Sequence, residues 1–154
     1  MSRVTFQQDL PEPGEGKRGV DGYLGYLLRQ AAHAYRTKAE QALAEATLTL
    51  PQFSVLTMLA AYPGRSNADL ARLSLLTPQT MSVIVANLLK AGLVARQAHA
   101  VHGRIHHIVL TESGHAVLAV AKQRVYAIEK DMLDGLSAGE ERTVRDWLVR
   151  TAKG

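Results

Sequence analysis

The sequence predicts a mainly α-helical fold with a small β-wing: a winged helix-turn-helix between long N- and C-terminal helices. Three observations predict it. Apolar residues recur at helical spacing through most of the chain, interrupted by Pro-Gly, lone Gly and Ser/Thr cap signals. Two short helical patterns, 66–73 and 77–91, are separated only by "SLL". Two strand-like stretches, "LVARQ" (93–97) and "IHHIVL" (105–110), follow at once and flank a loop containing Gly103. A close helix pair is a helix-turn-helix, and a hairpin directly after its second helix makes it winged.

Each element has its own justification. Residues 1–19 are rich in Pro, Gly and charge and are expected to form a flexible arm. From 21 to 46 the chain is Ala-rich, with Tyr23, Leu27, Ala31, Ala34 and Leu43 at helical spacing. "LTLPQFSVLTMLAAYPG" starts a second helix, with Thr49 as cap, Pro51 in the first turn, Phe53, Leu56 and Ala60 on one face, and Pro63-Gly64 as terminator. Ser66 and Asp69 form a capping pair for the third helix. Thr77-Pro78 opens the fourth, and Gly92 stops it. Its stripe of Met81, Ile84, Val85 and Leu88 is expected to face inward, leaving Gln79, Thr80, Ser82, Val83, Ala86 and Asn87 outside. After the hairpin, Thr111 caps a long helix to about 134, where Leu118, Ala121, Val125, Ile128 and Met132 step by three and four. Ser137-x-x-Glu140 caps a last helix carrying Val144, Trp147, Leu148 and Thr151.

Composition narrows the function. With no cysteine, thiolate catalysis, disulfides and cysteine-rich zinc sites are excluded. No Gly-x-Ser-x-Gly or phosphate loop is present, so an enzyme is not expected. The first residues lack a secretory pattern and no apolar run is long enough for a bilayer, which predicts a cytoplasmic protein. The net charge of +4 resides wholly in one segment. Between 64 and 107 Arg65, Arg72, Lys90, Arg96 and Arg104 face a single acid, Asp69, while the remainder balances. An uncompensated basic segment fits a duplex nucleic acid.

These features together resemble the MarR family of bacterial transcriptional regulators. The residues that carry the resemblance are "LTLPQFSVLTMLAAYPGRSNADLARLSLLTPQTMSVIVANLLKAGLVAR", the hairpin and "LTESG", in family order over about 22–150. The resemblance implies an obligate homodimer on a palindromic operator. Residues 20–48 and 112–154 would be the dimerisation helices, and 49–111 the DNA-binding domain. It also implies a small aromatic or phenolic effector. One departure stands out: where the family wing commonly carries Asp-x-Arg, this chain reads His102-Gly103-Arg104.

The expected DNA-binding residues are Pro78, Gln79, Thr80, Ser82, Val83 and Asn87 on the fourth helix, Arg72 and Arg96 on phosphates, and His102 and Arg104 on the wing. Arg104 suits a narrow minor groove. With no charge before Lys90, the fourth helix cannot make arginine–guanine contacts. Gln79 on adenine, and Thr80 or Val83 on a thymine methyl, predict A·T-favouring contacts. His99, His102, His106 and His107 crowd nine positions. Adjacent strand residues point to opposite faces and no carboxylate lies nearby, so phosphate or groove contact is preferred to a metal site. A metal-responsive regulator and a protein-binding winged helix are the alternatives. Tyr26, Gln30, His33 and Phe53 are the candidate effector-binding residues, although plain core or surface roles would also account for them. No cofactor is expected.

Overall fold

A computed structural model describes residues 10–98, 101 and 106–154. The helices are α1 (Leu24–Ala44), α2 (Leu50–Ala61), α3 (Asn67–Leu73), α4 (Pro78–Lys90), α5 (Glu112–Met132) and α6 (Ala138–Lys153). Strands β1 (Val94–Ala98) and β2 (His106–Leu110) lie between α4 and α5. The chain divides into two compact units, 1–37 and 38–154.

In the first unit, residues of the expected arm are tied by turns. A 3-10 turn, Gly16–Arg18, precedes α1, and the Gly14 amide donates to the Arg18 carbonyl at 3.1 Å. Arg18 donates from Nε to Gln30 Oε1 at 3.1 Å and from Nη1 to the Pro11 carbonyl at 2.7 Å. Gln30 Nε2 returns a bond to the Arg18 carbonyl. Tyr23, Ala31 and Ala34 are exposed and Leu27 is half-buried, so this part of the α1 stripe is largely uncovered in the single chain.

The second unit holds the core. Leu43, Val55, Leu56, Leu59, Leu70, Met81, Val85, Leu88 and Val125 are almost completely buried. α2 is its centre, packing on α3, α4, α5 and β2. A helix covered on several sides must be apolar on several sides, and "FSVLTML" supplies that. Each fully buried Leu contributes roughly 1.5–3 kcal/mol, so these few side chains outweigh any surface ion pair in the unit.

Helix starts follow the sequence closely. Thr49, Ser66, Thr77, Thr111 and Ser137 each accept the amide three residues on, and Thr49–Gln52 and Ser137–Glu140 complete reciprocal capping boxes. Such a cap contributes about 1 kcal/mol. Two helix ends depart from the usual glycine. After α1, Thr47 (φ 56°) closes the turn, with the Leu48 amide on the Leu43 carbonyl and the Thr47 amide on Ala44. After α3, Leu75 (φ 56°) does the same, with Leu76 on Ala71 and Leu75 on Arg72. Both are Schellman closures built on side-chain-bearing residues. The turn between α3 and α4 is thereby held by the backbone.

α4 buries Met81, Ile84, Val85 and Leu88, the stripe read from its period. β1 and β2 pair antiparallel, Val94 opposite Leu110 through Ala98 opposite His106. α5 buries Leu118, Ala121 and Val125, whereas Met132 is 52% exposed. α6 has no buried residue, and Val144, Leu148 and Val149 stand open. Among the described residues no helix is long and apolar enough to cross a membrane.

Candidate nucleic-acid interface

The candidate surface is the outer face of α4 with the basic residues around it. Thr77 caps the helix and Pro78 sits at its first position, so the backbone direction is set before any outward side chain appears. Pro78, Gln79, Thr80, Ser82, Val83, Ala86, Asn87 and Lys90 are all exposed. At about 100° per residue, Gln79, Val83, Ala86 and Lys90 form the line opposite the buried stripe, with Thr80 and Asn87 on one flank and Ser82 on the other. The face therefore carries amides, hydroxyls and methyls, and its first charge is Lys90.

Two of its hydroxyls are already engaged. Thr77 Oγ1 donates to Thr80 Oγ1 at 3.0 Å, and Ser82 Oγ donates to the Pro78 carbonyl at 3.0 Å. Such local bonds compete with outside partners. Gln79, Val83 and Asn87 project outward, and among the described residues no side-chain hydrogen bond holds them.

The other cations lie on other elements. Arg72, in the last turn of α3, is 81% exposed and only loosely paired with Asp69 at 3.8 Å. An exposed pair of that length holds neither side chain strongly, so Arg72 can turn to a phosphate. Arg96 is exposed on β1, opposite Ile108. Arg65 is a contributor that the sequence reading counted only as charge. Its carbonyl accepts from the Ile108 amide at 3.1 Å, adding a bridge beside β2, and its guanidinium lies 5.9 Å from the Tyr62 ring. Tyr62, Arg65, Asp69, Arg72 and Leu73 line an open hollow. No local pattern marks Arg65, because the bridge depends on β2 reaching it from over forty residues away.

The wing meets this surface through Ile108, which is 2% exposed and anchors β2 to the core. His106 is exposed and His107 half-buried, and as adjacent strand residues they point to opposite faces. A side chain at Gly64 would come 3.3 Å from His107 Nδ1, and φ is +75° there. His99, His102 and Arg104 lie outside the described residues. Among the described residues no group of three His, Asp or Glu is placed to hold a metal ion.

The wing is also locked to α5. The Thr111 amide donates to the Leu93 carbonyl at 3.1 Å, and Thr111 Oγ1 donates to the Gly92 carbonyl at 2.7 Å while accepting from the Gly114 amide. A Cβ on Gly114 would sit 2.0 Å from the Leu93 oxygen. The "LTESG" run thus joins the start of β1 to the start of α5, with glycine at the point of closest approach.

The candidate effector residues are split between the units. Tyr26 and His33 are exposed on α1, and Gln30 is occupied by Arg18. Phe53 is 7% exposed in the core of the second unit.

A family model described as MarR family matches residues 46–105. The HTH-type transcriptional repressor Rv2887 of Mycobacterium tuberculosis is 38% identical over 130 residues, covering 84% of this chain and 94% of that protein. The crystal structure of M. tuberculosis MarR family protein Rv2887 with salicylic acid is similar with a TM-score of 0.69 and 37% identity, over 86% of this chain and 98% of that one. The structure of the same protein with DNA is similar with a TM-score of 0.70 and 35% identity, over 85% and 98%.

Proposed function

Because this chain belongs to the MarR family of transcriptional regulators, we propose that it is a homodimeric, cytoplasmic repressor that binds a palindromic DNA operator and is not an enzyme. The observation that carries the reading is the outer face of α4, exposed and uncharged up to Lys90, with Arg65, Arg72 and Arg96 around it and one acid, Asp69, in the segment. Arginines on phosphates supply affinity and orientation, and the uncharged helix face reads base edges. His102 and Arg104 on the wing extend the contact to the neighbouring groove.

Apolar surface left open supports dimerisation. Tyr126, Met132, Leu136, Val144, Leu148 and Val149, on α5, α6 and their connection, are each 40–53% exposed. So many large apolar groups on adjoining elements mark an interface rather than a solvated surface. In this reading residues 20–48 and 112–154 pair two chains and residues 49–111 address DNA. Pairing sets the separation of the two α4 helices against successive major grooves, about 34 Å apart.

A small aromatic or phenolic acid is the proposed effector, in line with the salicylic acid bound by the Rv2887 relative. Tyr26, Gln30, His33 and Phe53 are its proposed contacts. Such a ligand releases DNA only by binding better to a dimer whose α4 spacing no longer fits. The test is a gel-shift on the DNA upstream of the protein's own gene at several salt concentrations, with sedimentation of the free protein. A dimer whose affinity falls steeply with salt, and falls again with salicylate, is expected. A monomer, or a dimer that ignores duplex DNA at low salt, overturns the proposal.

A further inference from the structure

Val83 is the one large apolar side chain on the outer face of α4, and it is 61% exposed. It sits in the second turn, one turn after Gln79 and directly opposite the buried stripe. Neighbouring hydroxyls do not share its position: Ser82 is bonded back to the Pro78 carbonyl, and Thr80 is drawn to Thr77 on the flank. Ala86, next on the same line, is too small to hold the helix away from a facing surface. A lone valine at the summit of a polar ridge gains nothing in water, and the core contacts of α4 are made by Met81, Ile84, Val85 and Leu88 instead.

We infer that Val83 is a specificity-determining residue that packs on the C5-methyl group of a thymine in each half-site. The inference rests on the reading that this face of α4 enters the major groove. In that groove the thymine methyl is the apolar mark that separates T·A from C·G. Residues four apart on a helix are displaced by about 6 Å, so Val83 and Gln79 address base pairs one or two steps apart. Among the described residues the Gln79 side-chain amide has no hydrogen-bond partner, and it suits adenine N6 and N7. The readout is therefore a paired one, an adenine by hydrogen bonds and a nearby thymine by its methyl.

The experiment uses the full-length protein and a duplex that it selects from random-sequence DNA. Each thymine of the selected half-site is replaced in turn by deoxyuridine, which removes the methyl and keeps the base pair. One thymine per half-site should weaken wild-type binding about fourfold when replaced, or about fifteenfold when replaced in both half-sites, as expected for exposing one buried methyl each time. In Val83→Ala the thymine and uracil duplexes should bind alike. Gln79→Ala should bind more weakly yet keep the thymine preference. If no deoxyuridine position weakens the wild type, or if Val83→Ala keeps the full preference, the assignment to Val83 is wrong while DNA binding stands. If no duplex is selected or bound at low salt, the operator reading fails and Val83 falls with it.

Discussion

Adding one methyl group to Gly114 tests the junction between wing and long helix. A Cβ there would lie 2.0 Å from the Leu93 oxygen, 2.9 Å from Leu110 Cδ2 and 3.0 Å from the Leu93 carbonyl carbon. Ordinary contact needs roughly 3.5 Å between such atoms, so Leu93 or α5 must retreat by more than an ångström. Neither is free to do so. Leu93 holds the Thr111 amide, its own amide is bonded to the Leu88 carbonyl at 3.0 Å, and buried Val94 follows it. Retreat strains or breaks the Thr111–Leu93 and Thr111–Gly92 bonds, at about 0.5–1.5 kcal/mol each. Overpacking adds about 1–3 kcal/mol. The helical preference of Ala over Gly returns about 0.5–1 kcal/mol.

Gly114→Ala should therefore lower stability by about 1–5 kcal/mol. Urea unfolding followed by circular dichroism at fixed protein concentration measures it, fixed because stability of an assembly depends on concentration. Gly139→Ala is the matched control. Nothing lies within 4 Å of a Cβ at Gly139 in α6, so the same methyl should be neutral or stabilising by up to ~1 kcal/mol. If Gly114→Ala unfolds at the same urea concentration as the wild type, the close approach of α5 to Leu93 is not what holds the wing base.

Other changes test other parts of the molecule. Thr47→Gly relieves a β-branched residue held at φ 56° and should raise stability by about 0.5–1 kcal/mol in the same urea assay, after the larger entropy of an unfolded glycine is subtracted. Glu140 is held below the ordinary carboxylate value of 4.5 by hydrogen bonds from the Ser137 backbone and side chain. A depressed carboxyl contributes stability that is fully present above its unfolded value and is lost as pH falls through its folded value. Urea midpoints measured from pH 6 to pH 3 should fall on the acid side, and Glu140→Gln should remove part of that slope. Arg96→Ala should weaken all duplexes similarly and reduce the salt dependence of log K by about one per subunit, read from gel-shifts at four salt concentrations.

The fourth helix shows how much was legible in advance. Met81, Ile84, Val85 and Leu88 announce their burial by spacing alone, and the residues between them are the exposed ones. Thr77, Thr111 and Ser137 announce their caps because a cap joins groups only three residues apart. At Arg65 the same kind of reading sees a charge and no more. Its bridge to Ile108 joins distant segments, and no periodicity records that. Gly114 was visible as part of "LTESG", but a glycine in a helix start has no local reason to be one. Only the Leu93 oxygen, brought there by β1, supplies it. Thr47 and Leu75 carry no turn signature either, since their left-handed backbone is imposed by the elements they join.

By itself, the sequence determined where helices begin, which face of each is apolar, and that the positive charge is concentrated around a helix-turn-helix. Those properties come from contacts within a turn or two, which order and composition specify. Tertiary structure decided which neighbours a residue meets. It tied Arg65 to the wing and left no room for a side chain at Gly114. The reason is physical: close approach between distant segments depends on the packing of the whole core, which no short stretch of chain contains.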